Sequence, residues 1–278
     1  MIIYIIALAG LFGAIGQYLD KHLVNIGITR KDYFYYMCLT MIPFSVIMVI
    51  VEYYTNQLKF ELGIVPILLL LIAMFLRYKK QHTIVGCLKY LNPYEDSAYL
   101  TLGIVVAFII DAILGVENPG IISILSIILT LIGIFTVANS KIKIKNLQKD
   151  ILIRILTSLL MSYVTHFILQ YWSNAVFMLI LNVFLVIIFS KGYNLQYHKD
   201  NRKIIKWTLL QQLFGFSALY LSNYLASNSV TLSSYVRPTS IVMVVMISML
   251  YKDKTKRPTI KQLAGIALII IGILLIPR

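Results

Sequence analysis

Three groups of ionisable residues sit where apolar sequence surrounds them, and each could do chemistry there. The run Arg77-Tyr78-Lys79-Lys80-Gln81-His82 follows an apolar stretch from Gly63 to Leu76. That stretch spans only about 21 Å as a helix, short of the roughly 30 Å of a bilayer core. A helix that continues to Tyr90 therefore carries basic groups into the membrane zone, where ionisable residues are functional candidates. They could form a basic wall for a phosphate or carboxylate. At about 100° per residue, Arg77 and Lys80 lie about 60° apart while Lys79 and His82 point largely the other way. One face cannot hold all four. The competing reading is an interfacial break with lysines snorkelling to headgroups. Glu95 and Asp96 open the next apolar segment and could carry coupling protons, balance Lys80 and Lys89, or cap a helix start. Asp111, toward the other end of that segment, reads as interfacial.

Arg237-Pro238 is the strongest single site candidate. It lies six residues past Thr231, about 9 Å into an apolar stretch, and Pro238 removes a backbone donor there. An arginine offers a rigid fork of donors for an anion; the bland alternative pairs Arg237 with Glu95 or Asp96. Tyr99, Tyr235, Asn182, Gln17, His166 and Gln212 could line the same cavity or make interhelical hydrogen bonds.

The elements that must position these residues are membrane helices. The chain has 278 residues, 59% hydrophobic and only 13% charged, against about a quarter charged in a soluble domain. Apolar segments fall at about 2–19, 33–51, 63–90 (interrupted), 97–115, 120–138, 151–170, 175–190, 206–226, 231–250 and 262–277. The expected fold is all-α integral membrane, about ten transmembrane helices, multi-pass in the cell (plasma or inner) membrane. Tyr33, Tyr35, Tyr36, Tyr53, Tyr54, Tyr90, Tyr94, Tyr171, Trp172, Trp207 and Tyr251 fall near helix ends, as an aromatic belt would. Gly10, Gly13 and Gly16 read as close helix packing, since no strand precedes them.

Shifting the chain by 139 residues lays Pro119 on Pro258 and Gly133 on Gly272. The reading is two inverted five-helix repeats, residues 1–139 and 151–278, joined by a basic linker at 140–150, in one membrane domain. Leaving out the third, the odd connections between helices hold 17 basic residues. The even ones hold a single one, Lys59. That asymmetry is a topology signal that places the odd connections in the cytoplasm and both termini outside. It also makes nucleic acid an unexpected partner despite a net charge of +14.

The second half, VTLSSYVRPTSIVMVVMISMLYKDKTKRPTIKQLAGIALIIIGILLI, has Pro238 in its ninth helix and Gly265-x6-Gly272 in its tenth. The first half answers with CLKYLNPYEDSAYLTLG and PGIISILSIILTLIGIF. In these segments the chain resembles the drug/metabolite transporter superfamily in its EamA-type ten-helix form. It departs where Lys252 and Asp253 replace the usual turn glutamate and where Leu100 replaces a proline. The resemblance implies a transporter with both termini in the cytoplasm, opposite to the charge count. In the sugar-phosphate branch a basic residue at a place like that of Arg237 binds the substrate's anion.

The expected function is a secondary, gradient-driven carrier of a small polar metabolite, an anion if the basic residues line the site. Alternating access would be coupled to a proton or counter-substrate. The expected substrate-binding residues are Arg237, Tyr235, Tyr99, Arg77, Lys80, His82, Gln17 and Asn182, with Glu95 and Asp96 as coupling groups. The alternatives are a membrane-embedded transferase acting on a lipid-linked substrate and an exporter of cationic or aromatic compounds. No enzyme activity, cofactor or metal is expected: no phosphate loop and no Asp-x-Asp occurs, and the four histidines are scattered.

Overall fold

A computed structural model describes residues 1–91, 93–117, 119–138, 148–190, 201–249 and 259–276. The described residues are helical almost throughout and form no strand; Phe60 and Trp172 make one isolated antiparallel bridge. Helices answer the apolar composition, because in hydrocarbon every backbone N–H and C=O needs a partner within the protein. In chain order they are α1 (Ile2–Asn25), α2 (Arg30–Tyr54), α3 (Ile64–Tyr90), α4 (Pro93–Thr101), α5 (Gly103–Ile113) and α6 (Ile121–Ala138). They continue as α7 (Gln148–Ile168), α8 (Asn174–Ser190), α9 (Asn201–Asn228), α10 (Val230–Ser234), α11 (Val236–Met249) and α12 (Ile260–Leu274).

Length and composition suit five segments for crossing a membrane: α1, α2, α4–α5, α7 and α10–α11. Stretches within α6, α8 and α12 are apolar but shorter. Helices α3 and α9 have 27 and 28 residues, length enough, but they carry polar and charged side chains into the bundle. The protein is therefore all-α and membrane-embedded in character. The basic connections at 139–147, 191–200 and 250–258, with most of the expected linker, lie outside the described residues.

The expected interruption at residues 77–82 is absent, and α3 runs unbroken from Ile64 to Tyr90. Arginine, lysine and glutamine are good helix formers, so a change in polarity does not interrupt the backbone. The breaks lie instead at Leu102 and Tyr235, where each N–H bonds three residues back, to Tyr99 and Leu232. At the second break Pro238 has no N–H to offer Ser234.

Two ends of the bundle can be told apart by what gathers there. At the basic end, Lys21 on α1 donates to Leu88 O (2.5 Å) and Leu91 O (3.1 Å), and Arg30 pairs with Asp150 at 3.2 Å. Gly27 turns the chain there with φ +88°. At the opposite, charge-poor end, Lys59 donates to Gln170 O and the Trp172 indole donates to Glu61 O.

Two buried carboxylates organise that charge-poor end. Glu52, 3% exposed, accepts from Ser173 Oγ (2.5 Å), Ala175 N (3.0 Å) and Tyr220 Oη (2.7 Å), which fixes the start of α8. Asp111, near the end of α5, is buried within the protein (1% exposed). It accepts from Tyr163 Oη, Ser229 Oγ, Thr231 Oγ1 and Thr231 N, so it caps α10. A carboxylate at a helix N-terminus also meets the positive end of the helix dipole.

Helices α6 and α12 approach along small residues. A methyl group on Gly133 would stand 2.6 Å from Gly265 O, and one on Gly265 2.7 Å from Gly133 O. The α1 glycines serve the same purpose: Gly13 faces Ser240 and Gly16 faces Gly215. Gly265→Leu should therefore lower stability by about 1–3 kcal/mol through overpacking. Gly103→Ala, with nothing within 4 Å of the new methyl, should change it by less than about 1 kcal/mol. Unfolding of the purified variants in mixed detergent micelles measures both.

Candidate functional site

A cavity of roughly 200 Å³ lies inside the bundle, lined from α1, α2, α3, α7, α8, α9 and α11 among others. Its lining comes within a few residues of helix ends at the charge-poor end, at Phe177, Asn223 and Ala226. Toward the basic end it reaches Tyr33 and Ile84, which pack together there with Leu23, Ile28, Met37, Val85 and Leu88. The Lys21 and Arg30 contacts tie the helices beyond that plug.

Four cations surround the inner half: Arg77, Lys80, Arg154 and Arg237. Helix α3 supplies the first two because residues three apart share a helical face. Arg154 comes from the second turn of α7 and Arg237 from the start of α11, just past the Tyr235 break. Two carboxylates answer them. Asp96 forms a 2.6 Å ion pair with Arg154, their side chains only 3% and 6% exposed. Asp20 accepts from Tyr33 Oη at 2.8 Å.

The partners leave much of the cationic set unused. Neither Lys80 nor Arg237 makes a hydrogen bond or ion pair with a described residue; Asp96 acts on both only through its field. Arg77 has one weak contact, Nη2 to Met41 Sδ at 3.6 Å, and its Nε has no partner. Arg154 Nε and Nη1 are likewise unpartnered. By formal charge, four cations face two acids, a surplus of two. Removing a charge from water costs several kcal/mol even after relaxation, so unpaired cations here are a feature that folding alone does not favour.

Amides complete the wall. Gln17, Gln81, Asn182, Gln211 and Gln212 line the cavity, each with one buried amide atom that has no partner among the described residues. Of these, Gln17 accepts from Ser97 Oγ at 2.8 Å and Asn182 donates to Met178 O. Met37, Met41, Met161 and Met178 add apolar surface.

The sequence-derived candidates divide cleanly. Arg237, Arg77, Lys80, Gln17 and Asn182 line the cavity, as does Gln212. Tyr235 is buried elsewhere, its hydroxyl 2.7 Å from Ser126 Oγ between α6 and α12. Tyr99 packs beside Cys87, Leu91 and Ile151. His82 belongs to an outer groove with Tyr78, and Lys79 lies over the Phe75 and Tyr78 rings. His166 is bonded to Ala226 O. Glu95 is half-buried at the start of α4, near Lys21 and outside the cavity lining. Asp96 stands behind Arg154 as its counter-ion.

Arg154, Asp20 and Tyr33 are cavity residues that sequence reasoning missed. Each lies within two turns of a helix end, where charge reads as topology and aromatic rings read as a belt. Tyr33, Tyr35 and Tyr36 are in fact buried, because the first turns of α2 pack inside the bundle; Tyr53, Tyr54 and Tyr90 are exposed as a belt requires. The usable signal was pairing: Asp20 and Asp96 are acids too deep for water and need cations close by.

No protein-family model matches the chain, and no curated protein matches its sequence. Among 24 matching chains of solved structures, one described only as the crystal structure of a protein aligns with a TM-score of 0.64. The alignment covers 96% of this chain and 95% of that one at 12% identity, a likeness of fold alone.

Removing one member of the buried pair leaves the other charge uncompensated. Asp96→Ala should cost about 3–5 kcal/mol of stability. In a double-mutant cycle, adding Arg154→Leu to Asp96→Ala should cost far less than Arg154→Leu alone. Additive losses in micelle unfolding would show that the pair is not coupled.

Proposed function

We propose that the protein is a secondary carrier for a small organic anion with two negative charges, such as a phosphate ester or a dicarboxylate. The observation that carries this reading is the surplus of two cations on the cavity wall, with Lys80 and Arg237 half-buried and free of partners among the described residues. A doubly charged anion would match that surplus, and the arginine forks suit carboxylate or phosphate geometry. The unpartnered amide oxygens of Gln81, Asn182, Gln211 and Gln212 offer acceptors to hydroxyl groups on the same molecule.

The architecture fits such a carrier. Taking α4–α5 and α10–α11 as single broken spans, the described helices would make ten crossings, five in each half, the number that inverted repeats require. The two broken spans occupy corresponding places, fourth and ninth, and discontinuous helices at a central site are a recurrent carrier device. With the basic end tied by the Lys21 and Arg30 contacts, the structure resembles one of two alternating states. Rocking of the halves would part Lys21 from Leu88 and Arg30 from Asp150. The EamA-type resemblance agrees with a ten-helix transporter in the cell membrane. A transferase would need a base near a nucleophile or a metal-binding group of acids; among the described residues no three His, Cys, Asp or Glu group to hold a metal, and Asp20 on the cavity wall is engaged by Tyr33.

Uptake into proteoliposomes tests the reading, after a thermal-shift screen of phosphorylated and carboxylated metabolites against the purified protein. Arg237→Ala and Lys80→Ala should each cut uptake at least about tenfold, since a charge-assisted hydrogen bond is worth roughly 1.5–3 kcal/mol. Lys79→Ala, outside the cavity, should leave it unchanged. Full uptake in a folded Arg237→Ala, or stabilisation by cations only, overturns the anion assignment.

A further inference from the structure

The basic run on α3 has a second face that the central cavity does not use. His82 and Tyr78 turn outward into a groove of about 340 Å³ shared with Arg30, Lys31, Phe34, Tyr35 and Phe189. Three rings from three helices build its wall. Phe34 meets Tyr78 edge-on at 5.3 Å and Phe189 at 4.9 Å, and Tyr78 stacks on Phe189 at 4.9 Å with an 11° tilt. The groove lies in the basic half of the bundle, by the first turn of α2 and the last turn of α8. On α8 the residue next to Phe189, Ile188, is exposed and apolar, as is Phe184 one turn before it.

The rim is positively charged. Arg30 is offset by Asp150 at 3.2 Å, and the buried carboxyl of Asp32 accepts from Thr29 Oγ1. Lys31 is exposed and has no partner among the described residues, His82 lies against the Tyr78 ring, and Lys79 stands on the adjacent turn. An aromatic wall that leads from cations to an exposed apolar flank has two requirements at once: a negative head and a hydrocarbon tail. Basic pockets between helices on the side of the positive connections meet both with anionic phospholipid.

We propose that this groove is a binding site for an anionic phospholipid of the leaflet at the basic end. The phosphate sits between Lys31 and His82, the glycerol over the Tyr78–Phe189 stack, and an acyl chain along Phe184 and Ile188. The site is independent of the central cavity and of what that cavity carries. It braces α2, α3 and α8 beside the Arg30–Asp150 tie.

Native mass spectrometry of the full chain extracted from membranes, with thermal unfolding in phosphatidylcholine or phosphatidylglycerol nanodiscs, tests this. The wild type should retain an anionic lipid and melt higher in phosphatidylglycerol. Lys31→Ala, an exposed change that cannot disturb the core, should lose the lipid peak and most of the melting increment; Phe189→Ala should do the same. Lys80→Ala in the central cavity should keep both. Equal melting in the two lipids, or undiminished lipid retention in Lys31→Ala, overturns the site. A matching shift from free glycerol phosphate in phosphatidylcholine would overturn it in favour of a soluble phosphate.

Discussion

The rest of the structure depends on one electrostatic constraint, the burial of Asp96 against Arg154 in a bundle with little water to help. Two charges in such surroundings are tolerable only at close range and with good geometry, which presses the start of α4 against the start of α7. Once that pair is set, the remaining cations cannot all be neutralised. Arg77, Lys80 and Arg237 arrive from two further helices with only Asp20 nearby, and Tyr33 already occupies one of its oxygens. The local field is positive by construction, and the surrounding amides are left facing inward.

Much of the architecture was legible in the sequence. Apolar runs located the helices to within a few residues, and the 100° rule separated Arg77 and Lys80 from Lys79 and His82. The spacing of Gly10, Gly13 and Gly16 marked a close packing seam. What was not legible was pairing at a distance. Asp96 and Arg154 are 58 positions apart and Glu52 and Ser173 are 121 apart, and neither spacing leaves a local pattern. The partners of Asp111 were hidden for the same reason, since its four donors come from α7 and the α10 cap.

The two ends of the bundle are held by different chemistry. At the charge-poor end, carboxylates accept from backbone N–H groups and hydroxyls, contacts that are short, directional and buried. At the basic end, an ammonium meets carbonyls and a half-exposed ion pair spans α2 and α7. Exposed ion pairs contribute about 0–1 kcal/mol, whereas a buried carboxylate stripped of its donors is far more costly. The basic end is thus the weaker closure, and the carboxylate caps keep α8 and α10 anchored whichever way the helices lean.

The chain has two tryptophans, and the fold puts one at each end. Trp172 is buried at the charge-poor end, its indole N–H on Glu61 O at 2.7 Å and its ring 5.3 Å from Phe60. Trp207, near the basic end, lies 4.4 Å from the imidazole of His22. Two indoles in unlike surroundings, one sequestered by a peptide carbonyl and one beside a titratable ring, differ in emission and quenching. The molecule thus carries a native optical reporter at each mouth, and the two mouths can be watched separately without attaching a dye.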